Sequence, residues 1–464
     1  MRHSRIPGFN PLGFVLCINR LRKSGVAGVF TCCIVGGNWN NAANAGLFAL
    51  NVNNAPSNSN ANIGARIMGI KIIFALSTPC LLAKICNFAD RPLGLVGIFP
   101  LGVIMKCTAK IEDVASYGNL LLAHANAKRG RTKYRAIQRV ENNKLECLRT
   151  IQTQLLSGTY HTSEYVHKII RERGKERLIS KLPYFPDRIV HWAYMQKLNP
   201  VFLAKFSNRS YASIAGKGIH AALYHVRFLL LHYPEETVYC LKIDMKKYFQ
   251  NVDHDILKAQ LRDDVEDSAF LVCLYELVDS FDSSSGSGCP VGLPLGNYTS
   301  QPFANRFLAP VDRWLEHKGI FHVRYMDDLV IFGKDAAECH AILRELSDLL
   351  FLRFQLRIKE NWQVFPVKKR AIDFLGYLIS PNRVLIRKSR FLQLRRTLSR
   401  IRCKVLESGR MTDRDRSRIA SYAGWLRFCT PKVKNTIWFR YFEPVLQLSG
   451  ESKFRDKLYK MVIE

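Results

Sequence analysis

The stretch Phe321-His322-Val323-Arg324-Tyr325-Met326-Asp327-Asp328-Leu329-Val330-Ile331-Phe332-Gly333 decides how this chain is read. Two adjacent carboxylates stand between two short β-prone runs, which reads as a hairpin with acid at its tip. About eighty residues earlier a second apolar strand also ends in acid: Val238-Tyr239-Cys240-Leu241-Lys242-Ile243-Asp244. Buried carboxylates are costly unless they hold a cation. Two strands that present three carboxylates suit a divalent-metal site for phosphoryl transfer. An isolated Asp-Asp pair is more simply a solvated turn. The strand context of both acidic sites favours the metal.

The chain has 464 residues and a formal net charge of +31. That length allows two or three domains and a large core. That charge points to a polyanionic partner, with nucleic acid the first candidate. The thirteen cysteines are scattered without zinc-finger spacing, so they read as reduced thiols of a cytoplasmic protein. Residues 1–104 hold nine Lys or Arg and a single acid, Asp90. A folded domain so poor in acid is unusual. The apolar residues 67–104 are interrupted by Lys71, Lys84, Asp90 and Arg91, so no membrane span is expected. Within residues 36–67, ten of 32 are Asn, a composition typical of loops.

Helical periodicity covers 111–127, and 136–156 reads as another amphipathic helix. Lys168 to Leu182 alternates around Gly174 as a hairpin would. Helices are expected at 186–202, over most of 253–280, at 299–317 and at 336–351. Short strands are expected through Phe374-Leu375-Gly376-Tyr377, then a basic helical tail from Arg387.

Over residues 105–464 the chain resembles reverse transcriptases. Phe-X-Val-Arg-Tyr-Met-Asp-Asp resembles the catalytic hairpin, and Lys242-Ile243-Asp244-Met245-Lys246-Lys247-Tyr248-Phe249 the first catalytic strand. Leu293-Pro294-Leu295-Gly296 is similar to the nucleotide-pocket loop, and Phe374-Leu375-Gly376-Tyr377 to the primer grip. The resemblance implies an α+β right hand. Fingers would occupy 105–235, a palm with part of the fingers 236–380, and a thumb 381–464. Asp244 and Asp327, assisted by Asp328 and the Met245 carbonyl, would hold two Mg²⁺ ions, or Mn²⁺ in their place. Phe249 would be the gate against a ribose 2′-hydroxyl, or else an ordinary core aromatic. Lys175 and Arg177 would grip the triphosphate, or else be solvated charges. Leu295, Gly296 and Gln301 would line the nucleotide pocket. Lys359 would protonate pyrophosphate.

The loop Leu295-Gly296-Asn297-Tyr298-Thr299-Ser300-Gln301 departs from the commoner Gln-Gly-X-X-X-Ser-Pro. It is similar to the reverse transcriptases of diversity-generating retroelements. Ser210 to His220 and Ser421-Tyr422-Ala423-Gly424-Trp425-Leu426 resemble that group as well. A Gln at position 295 can hydrogen-bond in the pocket, and Leu cannot. In that family copying is error-prone chiefly at template adenines. The tract Gly36-Gly37-Asn38-Trp39-Asn40-Asn41 through Asn62-Ile63-Gly64-Ala65-Arg66-Ile67 resembles the variable region these elements diversify. Residues 1–104 are therefore expected to translate the template repeat and its flanks, with Met105 the authentic start; a lectin-like domain is the competing reading. The implied partners are template-repeat RNA, the cDNA/RNA hybrid, dNTPs and a basic oligomeric accessory protein. A group II intron or retron enzyme is the first rival, and a non-catalytic nucleic-acid-binding scaffold the second.

Overall fold

The computed structural model describes residues 34–35, 50–51, 105–172, 175–284 and 289–463. The chain divides into two compact units, Met1–Ala109 and Lys110–Glu464. In the first, β1 (Ile34–Val35) pairs antiparallel with β2 (Leu50–Asn51). The rest of the Asn-rich tract lies outside the described residues.

The second unit opens with four helices, Ile111–Ala115, Tyr117–Ala127, Arg135–Asn142 and Lys144–Leu156. The single helix expected over 111–127 is interrupted at Ser116. Its hydroxyl accepts the Asn119 amide at 3.4 Å and caps a new helix. The helix expected over 136–156 is interrupted at Asn143, whose φ of −120° and ψ of 39° leave the helical region. Next comes the hairpin of β3 (Val166–Glu172) and β4 (Lys175–Lys181), with Ile170 opposite Arg177. The helix expected from 186 begins at Ile189 and runs to Lys205. Phe185 is extended, as a residue before proline prefers, and delays it. Helix Ile219–His232 follows.

The central sheet has the order β6-β7-β5-β8, antiparallel throughout. It is built from β5 (Tyr239–Asp244), β6 (His322–Tyr325), β7 (Asp328–Gly333) and β8 (Gln363–Pro366). Helices His254–Arg262, Ser268–Asp279 and Ser300–His317 lie between β5 and β6 in the chain. Asp253 and Asp267 cap the first two, their carboxylates accepting amides at 2.9 Å and 2.7 Å. Helix Ala336–Phe354 follows β7 and lies against β5, β7 and β8.

Alternate residues of a strand point to opposite faces. Cys240, Val323, Val330, Phe332 and Phe365 share one face and enter a hydrophobic core. There they join Leu394, Leu398, Ile401, Trp438 and Phe442 of the C-terminal helices. Leu241, Ile243, Leu329 and Ile331 face the other way and are buried too. Each such side chain contributes about 1.5–3 kcal/mol, so the strands that end in acid are among the best anchored in the unit.

A second sheet has the order β11-β10-β9, from β9 (Ile372–Phe374), β10 (Tyr377–Ser380) and β11 (Arg383–Ile386). Helices Lys388–Ser408, Asp413–Leu426, Pro431–Ile437, Glu443–Leu448 and Ser452–Val462 complete the unit. Among the described residues, no helix is long and apolar enough to cross a membrane.

Candidate active site

Antiparallel register sets Asp244 at the end of β5 directly opposite Asp328 at the start of β7. Tyr325 of β6 is the other neighbour of Asp328. Only Met326 and Asp327 separate β6 from β7, so Asp327 stands at the tip. Met326 has φ of 59°, a left-handed conformation that disfavours a side chain.

Burial pushes the Asp327 carboxyl up to about 7, and the charge of Asp244 adds to the shift. Burial likewise lifts Asp328 to about 6, with Lys242 opposing. Asp328 Oδ1 is buried without a hydrogen-bond partner, and the Lys242 ammonium lies 3.9 Å from it. Lys359 forms an ion pair with Asp244. That lysine is delivered by backbone: Met245 bridges Ile358, and the Lys359 amide donates to the Asp244 carbonyl at 2.8 Å. Among the described residues, no three His, Cys, Asp or Glu side chains converge as a cation cage. The donor set nonetheless suits a hard cation. It offers oxygens only, an orphaned carboxylate oxygen, and two carboxyls whose pKa burial raises, so that a bound cation would favour their charged form.

The hairpin rests on a buried ion pair that motif reading passed over. Arg324 of β6 is wholly buried. Its Nε and Nη2 donate to Asp312 of helix Ser300–His317 at 2.8 Å and 2.6 Å. Its Nη1 donates to the Met326 carbonyl at 3.1 Å and to Asn305 Oδ1 at 3.3 Å. Ser210 adds a hydrogen bond to Asp312 at 2.7 Å, and its backbone bridges Arg324 in parallel. Burial would raise the Asp312 carboxyl, but Arg324 and His322 hold it well below the carboxylate range. The one signal in the sequence is a charged Arg between Val323 and Tyr325 in a short strand.

The Leu293–Gly296 loop is pinned at both ends. The Leu293 amide donates to the Phe249 carbonyl at 2.6 Å, and the Leu295 carbonyl accepts the Ser180 amide at 3.0 Å. Gly296 has φ of 144°, and a Cβ there would lie 2.4 Å from the Ser180 carbonyl oxygen. Only glycine lets the loop approach β4 so closely. Strand alternation puts Arg177 on the Ile179 face of β4, and Ile179 flanks Gly296. Arg177 is exposed; the Lys175 side chain lies outside the described residues. Phe249 is half-buried, whereas its neighbour Tyr248 is a core residue bonded to the Ala304 carbonyl. Leu295 and Gln301 are half-buried.

Phe374, Leu375, Gly376 and Tyr377 form the turn between β9 and β10. Leu375 has φ of 51° and Gly376 of 90°. Phe374 and Tyr377 are fully buried. The Tyr377 hydroxyl donates to the Trp425 carbonyl at 3.0 Å and lies 3.1 Å from His220 Nε2. Its ring stacks on Trp425 with centroids 5.0 Å apart, and Arg390 covers Trp425 at 3.6 Å. Lys242 connects this turn to the acids, because its ammonium donates to the Asp373 carbonyl.

The structure thus gathers Asp244, Met245, Asp327, Asp328 and Lys359 at one end of the central sheet. It sets Leu295 and Gly296 against β4, and the 374–377 turn against the C-terminal helices.

Residues 166–379 match the family model described as reverse transcriptase (RNA-dependent DNA polymerase). This stretch is a reverse transcriptase domain, and the enzyme is an RNA-directed DNA polymerase. The retron Ec73 reverse transcriptase of Escherichia coli is 22% identical over 295 residues, covering 60% of this chain and 86% of that protein. Protein YkfC of Escherichia coli is 23% identical over 286 residues, covering 53% and 74%. The putative COX1/OXI3 intron 1 protein of Saccharomyces cerevisiae is 26% identical over 133 residues, 28% of this chain and 16% of its own length. The solved apo telomerase of Candida tropicalis aligns at 13% identity and a TM-score of 0.40, covering 65% of this chain and 58% of that one.

Proposed function

We propose that the chain is the reverse transcriptase of a diversity-generating retroelement, copying a template-repeat RNA into cDNA with errors concentrated at template adenines. In this reading residues 105–235 are fingers, 236–380 the palm with part of the fingers, and 381–464 the thumb. Asp244, Asp327 and Asp328, with the Met245 carbonyl, would hold two Mg²⁺ ions, or Mn²⁺, which when bound would lower the pKa of the primer hydroxyl and offset charge on the leaving pyrophosphate. Crowding of the acids makes the site costly when empty of positive charge and favourable when filled. Lys359, already within reach of Asp244, is the proton donor to pyrophosphate. Phe249 stands at the edge of the sheet as the sugar gate. Arg177, with Lys175, neutralises the triphosphate, because an Arg fork fits phosphate oxygens.

The observation that carries the subtype is Leu295. Its carbonyl accepts the Ser180 amide, and its side chain is apolar at the motif position where a Gln would offer a hydrogen bond. A pocket built on apolar contact discriminates less than one built on hydrogen bonds. The test is primer extension on an RNA template with sequencing of the product. Misincorporation concentrated opposite adenine, and reduced by Leu295→Gln, is expected. An even error spectrum would favour the retron or intron type, to which the similarity with the retron enzyme also points. Residues 1–104 are proposed to be translated template repeat. A protein starting at Met105 should then extend primers at the full-length rate. The accessory protein would bind as a separate basic oligomer.

A further inference from the structure

Two observations at the catalytic hairpin remain without a role: a strained Met326 and a buried guanidinium bonded to its carbonyl. The left-handed Met326 conformation is strained for a residue with a side chain, and such strain persists only where surrounding structure over-determines it. Arg324 supplies that determination. Its fork is spent on Asp312 from one side, and the remaining nitrogen reaches Met326 O and Asn305 Oδ1. Asp312 is held in turn by Ser210 and faces His322 Nε2 at 3.5 Å. Asn305 anchors to the Ala212 carbonyl at 2.6 Å. Every group in this chain is buried. Segment 209–212 is tied to β6 by backbone as well, through Arg324 N to Arg209 O at 2.9 Å and Tyr211 N to Arg324 O at 3.0 Å.

We propose that Arg324 is a positioning residue, acting with Asp312. Its hydrogen bond to the Met326 carbonyl holds the turn left-handed and so fixes where the next residue, Asp327, presents its carboxylate. The idea rests on the reading of Asp327 as a metal ligand. A planar fork is needed because three acceptors in different directions must be met at once. A lysine keeps the charge but cannot meet all of them. The motif from Ser210 to His220 thereby gains a purpose, since its first residues brace the ion pair from below.

The test compares Arg324→Lys and Ser210→Ala with the parent enzyme in RNA-templated primer extension, with active sites counted by burst amplitude. Arg324→Lys should lower kcat on the order of 10²-fold, as misplacement near 1 Å does. The KM for dNTP should stay within about twofold, and the half-saturating Mg²⁺ concentration should rise. A residue that merely supports folding would lower the burst amplitude and leave the Mg²⁺ dependence in place. Wild-type kcat and Mg²⁺ dependence in a folded Arg324→Lys protein would overturn the proposal. If that variant gives no cooperative melt, Ser210→Ala decides, since it leaves the ion pair intact. A smaller rise in Mg²⁺ requirement supports the role, and an unchanged one overturns it. Asp327→Asn separates the two readings. If it remains active, the metal assignment itself fails. If it is dead while Arg324→Lys is normal, only the positioning role falls.

Discussion

Two tight turns in this enzyme solve one problem by different means. Met326–Asp327 and Leu375–Gly376 each join adjacent antiparallel strands, and each opens with a non-glycine residue of positive φ, 59° and 51°. The first is braced from beneath by buried charge, Arg324 against Asp312. The second is braced from the side by stacked rings, Tyr377 on Trp425 under Arg390. A directional ionic brace suits the proposed role of Asp327, which needs its carboxylate placed to a fraction of an ångström. Stacking tolerates small sliding, as the proposed grip on a moving primer would require.

The largest effect should fall on the ionic turn itself. Asp327→Asn is expected to abolish primer extension, by at least ~10²–10³-fold in single-turnover rate. The same variant should melt at a higher temperature than the parent without metal at pH 8, because a crowded buried charge is gone. Residual activity near the parent's would break the comparison at its base.

Trp425→Ala should act differently. It removes a half-buried ring and its guanidinium partner, costing about 2–3 kcal/mol of stability. Primer–template KM should rise roughly tenfold, with kcat nearly preserved. A loss confined to kcat would mean that the stacked turn also aims catalytic groups. Gly376→Ala should be milder. Its Cβ meets Trp425 and the Arg390 side chain at 3.1 Å in a positive-φ position, for about 1–2 kcal/mol.

The stacked turn should also be the acid-sensitive one. Burial, aided by Arg427, lowers the pKa of His220 below the ordinary histidine value. The unfolded chain therefore binds the extra proton first, and stability falls as pH drops below about 6.5. His191 and His225, both buried with lowered pKa, contribute to the same limb of melting curves, so His220→Gln should make it shallower without abolishing it, and an unchanged limb would remove His220 from the brace. Leu375→Asn should do least, within about 0.5 kcal/mol, because Asn tolerates the left-handed region.

Local pattern made much of this legible. Short apolar, β-prone runs marked both strands of the candidate site, and a carboxylate at each strand end marked the site before any pairing was known. Pairing itself was invisible: that Asp244 faces Asp328 is a matter of register between segments over eighty residues apart. Helix breaks at Ser116 and Asn143 escaped because side-chain capping competes with a pattern that runs on through it. Asp312 escaped for a different reason. An acid on an amphipathic helix reads as solvated face, and only the fold shows its partner on β6, the next element of the chain. Lys359 was suggested by motif alone, yet its place depends on the bridge between Met245 and Ile358.

The Arg324–Asp312 pair also limits how this lineage can change. Losing either member alone strands a buried ion, at about 3–5 kcal/mol, whereas exchanging both for apolar residues of similar volume is nearly neutral for folding. Single steps are closed by folding, and the double step is closed by the loss of the Arg324 bond to the Met326 carbonyl. Among descendants that keep polymerase activity, the two positions should therefore be retained together.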